Sequence, residues 1–86
     1  MTETTYNGWA NYQTWNVSLY INNEYDLYKL ACEWVQHQRE NGAPVDYDIF
    51  RHTLVELYGG CTLDGVGWAD PTIDTDEINE MLEELV

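Results

Sequence analysis

The sequence predicts a mainly α-helical fold: a small single-domain bundle of three to four helices with an irregular, tryptophan-bearing loop. Three observations carry this expectation. The chain has 86 residues, 44% hydrophobic and 14% aromatic, which suffices for one modest core and is too apolar for a disordered chain. Apolar residues recur at helical spacing over Leu27–Val35 and again over Ile78–Leu85. Capping residues and Gly or Pro punctuate the chain between those runs. No repeat or low-complexity linker divides it, so residues 1–86 read as a single acidic globular domain.

Residues 11–21 carry two patterns. Trp15 and Leu19 are four apart, as on a helix, whereas Trp15, Val17, Leu19 and Ile21 alternate, as on a strand. Asn11 is a good N-cap and favours the helix. An α+β fold with residues 11–21 as a strand is the alternative. Asn22-Asn23 reads as a break that offers the next N-cap, followed by Glu24 and Asp26 in a first turn where carboxylates suit the helix dipole. Leu27, Leu30, Ala31, Trp34 and Val35 then form the clearest amphipathic stripe. Asn41-Gly42 and Pro44 should end this helix.

Asp46 is the expected cap of a third helix, with Tyr47, Phe50, Leu54 and Leu57 inward, Ile49 and Tyr58 flanking, and Gly59-Gly60 as the stop. Residues 61–73 read as a loop with a turn at Asp64-Gly65 and Trp68 closing it over the core. Asp74-Thr75-Asp76-Glu77 has the form of a capping box, and Ile78, Met81, Leu82 and Leu85 continue the helix it starts.

Cys32 lies within an apolar helical pattern and reads as a small buried hydrophobe; Cys61 follows two glycines and reads as a loop residue. Two cysteines without C-x-x-C spacing make neither a zinc site nor a redox pair. The opening Met1-Thr2-Glu3-Thr4-Thr5 has no basic or apolar run of the kind a secretory leader needs, and no stretch is apolar enough to span a membrane.

Sixteen acids against three bases give a formal charge of −13. Such a surface repels a nucleic-acid backbone and an anionic membrane, so neither is an expected direct partner; a basic protein is. The polarity is uneven along the chain. From His52 to Val86 there are nine acids and no Lys or Arg. Asp74 to Glu84 carry six carboxylates over about 16 Å of helix, a linear density comparable with the phosphates of one DNA strand. The helix dipole accounts for Asp74, Asp76 and Glu77 without any partner. Glu80, Glu83 and Glu84 lie toward the carboxyl end, where negative charge is unfavourable, and solubility is the ordinary explanation for them. The candidate partner-binding residues are therefore Asp70, Asp74, Asp76, Glu77, Glu80, Glu83 and Glu84.

Signals for chemistry are weak. Gly65-Val66-Gly67 lacks the rest of a phosphate loop, Asp74-Thr75-Asp76 lacks the glycine and distal glutamate of a calcium loop, and His52/Glu56 is an isolated pair. No enzymatic activity, metal or cofactor is expected. Four Trp and seven Tyr exceed what so small a core hides. Trp15, Trp34, Phe50 and Trp68 are assigned to the core. Tyr6, Trp9, Tyr12 and Tyr20 are expected to line one surface near the amino end, either as a contact patch or packed on one another.

The segment Tyr6–Val17, with Trp9-Ala10-Asn11-Tyr12-Gln13-Thr14-Trp15-Asn16-Val17 at its centre, resembles the opening of a family of small uncharacterised proteins of tailed phages and some bacteria; Trp68 to Leu85 is similar to their closing stretch. The resemblance implies a setting in the cytoplasm of a bacterial host cell and no particular reaction. By analogy of size and charge, the leading expectation is a phage-type anti-defence inhibitor. It would bind a nucleic-acid-handling host protein, a CRISPR effector or restriction enzyme, through a DNA-mimicking acidic surface. The alternative is a non-enzymatic adaptor or self-associating protein that uses the aromatic surface.

Overall fold

A computed structural model of the chain describes residues 6–85. The opening residues 1–5, on which the reading of no leader rests, and Val86 lie outside the described residues. Within them the fold is mainly α: α1 (Tyr12–Asn23), α2 (Tyr25–Glu40), α3 (Tyr47–Tyr58) and α4 (Thr75–Glu83), with α1 packed on α2 and α4, and α4 also on α2 and α3.

Residues 12–21 are helical with Asn11 as their cap, and no strand forms there. The Asn11 side chain accepts the Thr14 N–H at 2.8 Å and the Thr14 hydroxyl at 2.6 Å. The expected break at Asn22-Asn23 lies one residue later and contains no side-chain cap. Glu24 alone is non-helical: its N–H closes α1 on the Tyr20 carbonyl and its own carbonyl receives the Tyr28 N–H. One extended residue thus serves both helix ends, so Asn22 and Asn23 remain in α1, exposed.

α2 stops as its sequence predicts. Gly42 takes a φ of +67°, the left-handed region that favours glycine, which lets Ala43 N–H reach the Gln38 carbonyl and Gly42 N–H the Arg39 carbonyl. Asp46 caps α3 through the Asp48 N–H. The inner stripe of α3 is shorter than expected. Tyr47, Phe50 and Leu54 are buried, but Leu57 is 61% exposed, because the last turn of α3 runs past the core and residues 55–61 are all exposed.

The core joins Val17 and Ile21 of α1, Leu27, Ala31 and Val35 of α2, the α3 stripe, and Ile78 and Leu82 of α4. Trp34 stacks on Phe50 with ring centres 4.8 Å apart, linking α2 to α3. Trp68 closes the 61–73 loop over this core and is 2% exposed. Tyr47 donates its hydroxyl to the Trp68 carbonyl at 2.5 Å, which ties the loop to α3. Gly65 closes the tight turn at φ +90°. Trp15 is not in the core. It is half-buried and packs against Tyr6 and Tyr12, while Asn16 takes the fully buried place beside it. Cys32 is half-buried rather than buried, its thiol 3.9 Å from the Leu85 carbonyl, and Cys61 is exposed; both are free.

Candidate partner-binding surfaces

The opening motif is largely structural. Asn16 donates to Asp64 at 2.8 Å and accepts the Thr62 hydroxyl at 2.7 Å, so a buried amide locates the loop on α1. Asn11 donates to the Thr72 carbonyl, and the Thr14 hydroxyl receives the Asp74 N–H. Asn11, Thr14 and Asn16 all face α4 or the loop before it, which explains polar residues in an otherwise core-facing helix.

These bonds divide the seven candidate carboxylates. Asp74 caps α4 by accepting the Glu77 N–H at 3.2 Å. The expected capping box is only half made, because Glu77 does not turn back to Asp74. Its carboxylate accepts the Ala10 N–H at 2.7 Å, while the Asp74 N–H has gone to Thr14. Asp70 accepts both the hydroxyl and the N–H of Thr72, and these bonds hold its carboxyl below the ordinary value. Asp70, Asp74 and Glu77 are thus half-buried and engaged within the fold.

Asp76, Glu80, Glu83 and Glu84 stay exposed. At about 100° per residue they fall within one arc of α4 and its carboxyl cap, opposite the buried Ile78 and Leu82. Arg39 donates to the Glu83 main-chain carbonyl at 2.6 Å, which places a cation at the carboxyl end of this helix. Beside the acidic arc lies an open groove of about 510 Å³. Glu77, Glu80 and Glu84 line it together with Trp9, Tyr28 and Met81. Tyr28 and Met81 were not identified as candidates; both occupy outward or flanking helical positions whose neighbours only the tertiary fold supplies.

Two of the four aromatic candidates pack on one another, and the other two line different cavities. Tyr6 and Tyr12 meet Trp15, with ring centres 5.4, 4.9 and 5.6 Å apart. Trp9 faces the groove, packed partly on the core. Tyr20 lines a second cavity, where partial burial and then the Asp64 carboxylate raise its hydroxyl above the ordinary value. Among the described residues no cluster of three or more His, Cys, Asp or Glu is placed to hold a metal, and no helix is long and apolar enough to cross a membrane.

No curated protein and no solved structure matches the chain. A family model does, over residues 2–86, so the helices, the polar clasp of the opening motif and the acidic final helix all fall within the match. The chain belongs to a family of unknown function, DUF7249.

Proposed function

We propose that this protein is a non-catalytic binding module that holds a cationic protein surface on its last helix. The observation that supports it most directly is the exposed arc of Asp76, Glu80, Glu83 and Glu84. Its axial length is about 12 Å, or roughly one charge per 4 Å, close to the phosphate spacing of a DNA strand. Asp76, Glu80 and Glu84 have no side-chain hydrogen bond or ion pair among the described residues, so their charge is available outward. Trp9, Tyr28 and Met81 also line the adjoining groove and offer apolar surface to the stems of Lys or Arg side chains. In the form expected from the sequence, the partner is a nucleic-acid-handling host protein, a CRISPR effector or restriction enzyme, and the acidic arc occupies its phosphate track.

The experiment is a pull-down from bacterial lysate at about 50 and about 300 mM salt, with the wild type and the E80Q/E83Q/E84Q variant. The captured protein is then tested for nucleic-acid binding with and without this chain. Binding should weaken with salt, disappear in the triple variant and compete with nucleic acid. An unchanged yield from the triple variant refutes the proposal.

A second reading is supported by the Tyr6–Tyr12–Trp15 cluster, in which Tyr6 is 41% and Tyr12 38% exposed. Under it the chain self-associates or serves as an adaptor through aromatic contacts. Salt-tolerant association lost in Tyr12→Ala favours this reading, and a monomer at all concentrations removes its self-association form.

A further inference from the structure

The sequence holds two Asn-Gly pairs, Asn7-Gly8 and Asn41-Gly42. An asparagine followed by glycine is the arrangement most prone to lose its side-chain amide, because no Cβ on the next residue shields the attacking main-chain nitrogen. Both pairs are exposed, so exposure does not separate them. Their backbone geometry and hydrogen bonds do.

Asn7 and Gly8 are the central residues of a tight turn, across which Tyr6 and Trp9 exchange main-chain hydrogen bonds at 2.7 and 2.8 Å. Asn7 has φ +50° and Gly8 φ +88°, as in a type I′ turn. Among the described residues neither the Asn7 amide nor the Gly8 N–H has a hydrogen-bond partner. A Cβ built on Gly8 would meet nothing within 4 Å, so the space around this residue is open. The five-membered ring that joins an asparagine side chain to the next nitrogen imposes the backbone of the first central residue of a type II′ turn, with φ about +60° and ψ about −120°. Asn7 already has such a φ. A flip of the 7–8 peptide plane, which glycine at position 8 permits, supplies the ψ and leaves Tyr6 and Trp9 paired.

Asn41 is held against the same reaction. Its side-chain N–H donates to the His37 carbonyl at 2.7 Å. Its φ is −99° and its ψ 4°, and the Gly42 N–H donates to the Arg39 carbonyl at 3.2 Å. Turning the 41–42 peptide would undo that bond and the carboxyl end of α2 with it.

We propose that Asn7 is a site of spontaneous deamidation, and that its isoaspartyl product loosens the turn that seats Trp9 in the groove beside α4. The Gly8 nitrogen gives up its proton to solvent and bonds to the Asn7 Cγ. The Cγ–Nδ2 bond breaks, and Nδ2 takes up a proton and leaves as ammonia. Water then opens the cyclic imide at one of its two carbonyls. Opening at the side-chain carbonyl gives aspartate, and opening at the main-chain carbonyl gives isoaspartate. Either product adds a negative charge next to the groove that Gly8, Trp9 and Glu77 line. Isoaspartate also routes the main chain through Cβ, and the lengthened turn no longer closes on the Tyr6–Trp9 bonds. The modification does not depend on what the groove binds.

The test ages the full chain at neutral and at mildly alkaline pH, natively and in guanidinium chloride. Peptide mass spectrometry with electron-transfer fragmentation then reads both Asn-Gly pairs and tells aspartate from isoaspartate. In denaturant the two pairs should react at similar rates. In the native chain Asn7 should react at least about tenfold faster than Asn41, which alone must give up two hydrogen bonds. The rate at Asn7 should rise with pH, because the attacking nitrogen must lose a proton. The isoaspartyl chain, separated chromatographically, should show a shifted Trp9 indole signal in proton–nitrogen NMR spectra. Asn7→Asp, which adds the charge without lengthening the main chain, should leave that signal near its wild-type position. Equal native rates at the two positions, a faster rate at Asn41, or an isoaspartyl chain with an unmoved Trp9 signal overturns the proposal.

Discussion

Glu77 accepts the main-chain N–H of Ala10 at 2.7 Å, a bond between residues 67 positions apart. A carboxylate that reads in sequence as one more acid of the last helix is thereby a fastener between the two ends of the chain. The relationship separates acids that hold the fold from acids available to a partner.

Glu77→Ala should destabilise the protein by about 1.5–3 kcal/mol, the range for losing a hydrogen bond to a charged group and leaving its donor unpaired. Glu77→Gln keeps an acceptor and should cost less. Glu84→Gln removes a negative charge from the carboxyl end of α4 and should be neutral or stabilising by about 0.3–1 kcal/mol. Urea denaturation of the three variants measures the order. Equal effects at positions 77 and 84 would mean that the Ala10 bond contributes nothing.

Asn16 is fully buried between Asp64 and Thr62. Asn16→Ala should cost about 2–4 kcal/mol, because it removes a bond to a carboxylate and leaves the buried Thr62 hydroxyl without its acceptor. Asn23→Ala, at an exposed helix end, should stay within about 0.5 kcal/mol. Amide hydrogen exchange gives a second measurement: the Gly65 and Val66 amides should lose protection in Asn16→Ala and keep it in Asn23→Ala.

Burial holds the Tyr47 hydroxyl well above its ordinary value of 10.0, with Asp48 adding to the effect and Arg51 opposing it. The folded-state value lies above the unfolded one. The associated stability is therefore complete below about pH 10 and is lost as pH rises from there toward the folded-state value. Tyr47→Phe should cost about 1 kcal/mol at pH 7, where it loses the bond to the Trp68 carbonyl, and less at pH 10.5. Urea midpoints at the two pH values test this. A cost that is the same at both would show that Tyr47 ionisation is not linked to unfolding.

A formal charge of −13 on so small a body should make the fold sensitive to ionic strength. Raising salt from about 10 mM to about 150 mM shortens the screening length from about 30 to about 8 Å and relieves self-repulsion. The melting temperature should rise by about 4 °C or more, equivalent to about 1 kcal/mol for a domain of this size. The E80Q/E83Q/E84Q variant should show a smaller rise. Calorimetry at the two salt concentrations decides it.

The helices were legible where local signals agreed. The spacing of Leu27 to Val35, the stop at Gly42 and the Asp74 cap are all local, and the structure has them. α1 was ambiguous because its buried face mixes Val17 and Ile21 with Thr14, Asn16 and Ser18, so hydrophobic periodicity is faint. Those polar residues are satisfied by partners such as Asp64, Thr62 and Asp74, about 50 to 60 positions away, which no local window contains. The same long-range matching moved Trp15 outward and diverted Glu77 from its capping box. The acidic arc was visible as composition. The groove and the Tyr20 cavity were not, because each gathers side chains from three or four separate segments.

The clasp of Asn11 and Thr14 on Thr72 and Asp74 also orders events at the ribosome. The carbonyl and amide that hold the start of the first helix lie about 60 residues after it and are synthesised well after it. α1 must therefore wait, unfastened, until residues 72–74 have emerged. A stalled or prematurely ended product would expose Val17 and Ile21 to the cell's quality-control machinery instead of leaving a smaller working domain.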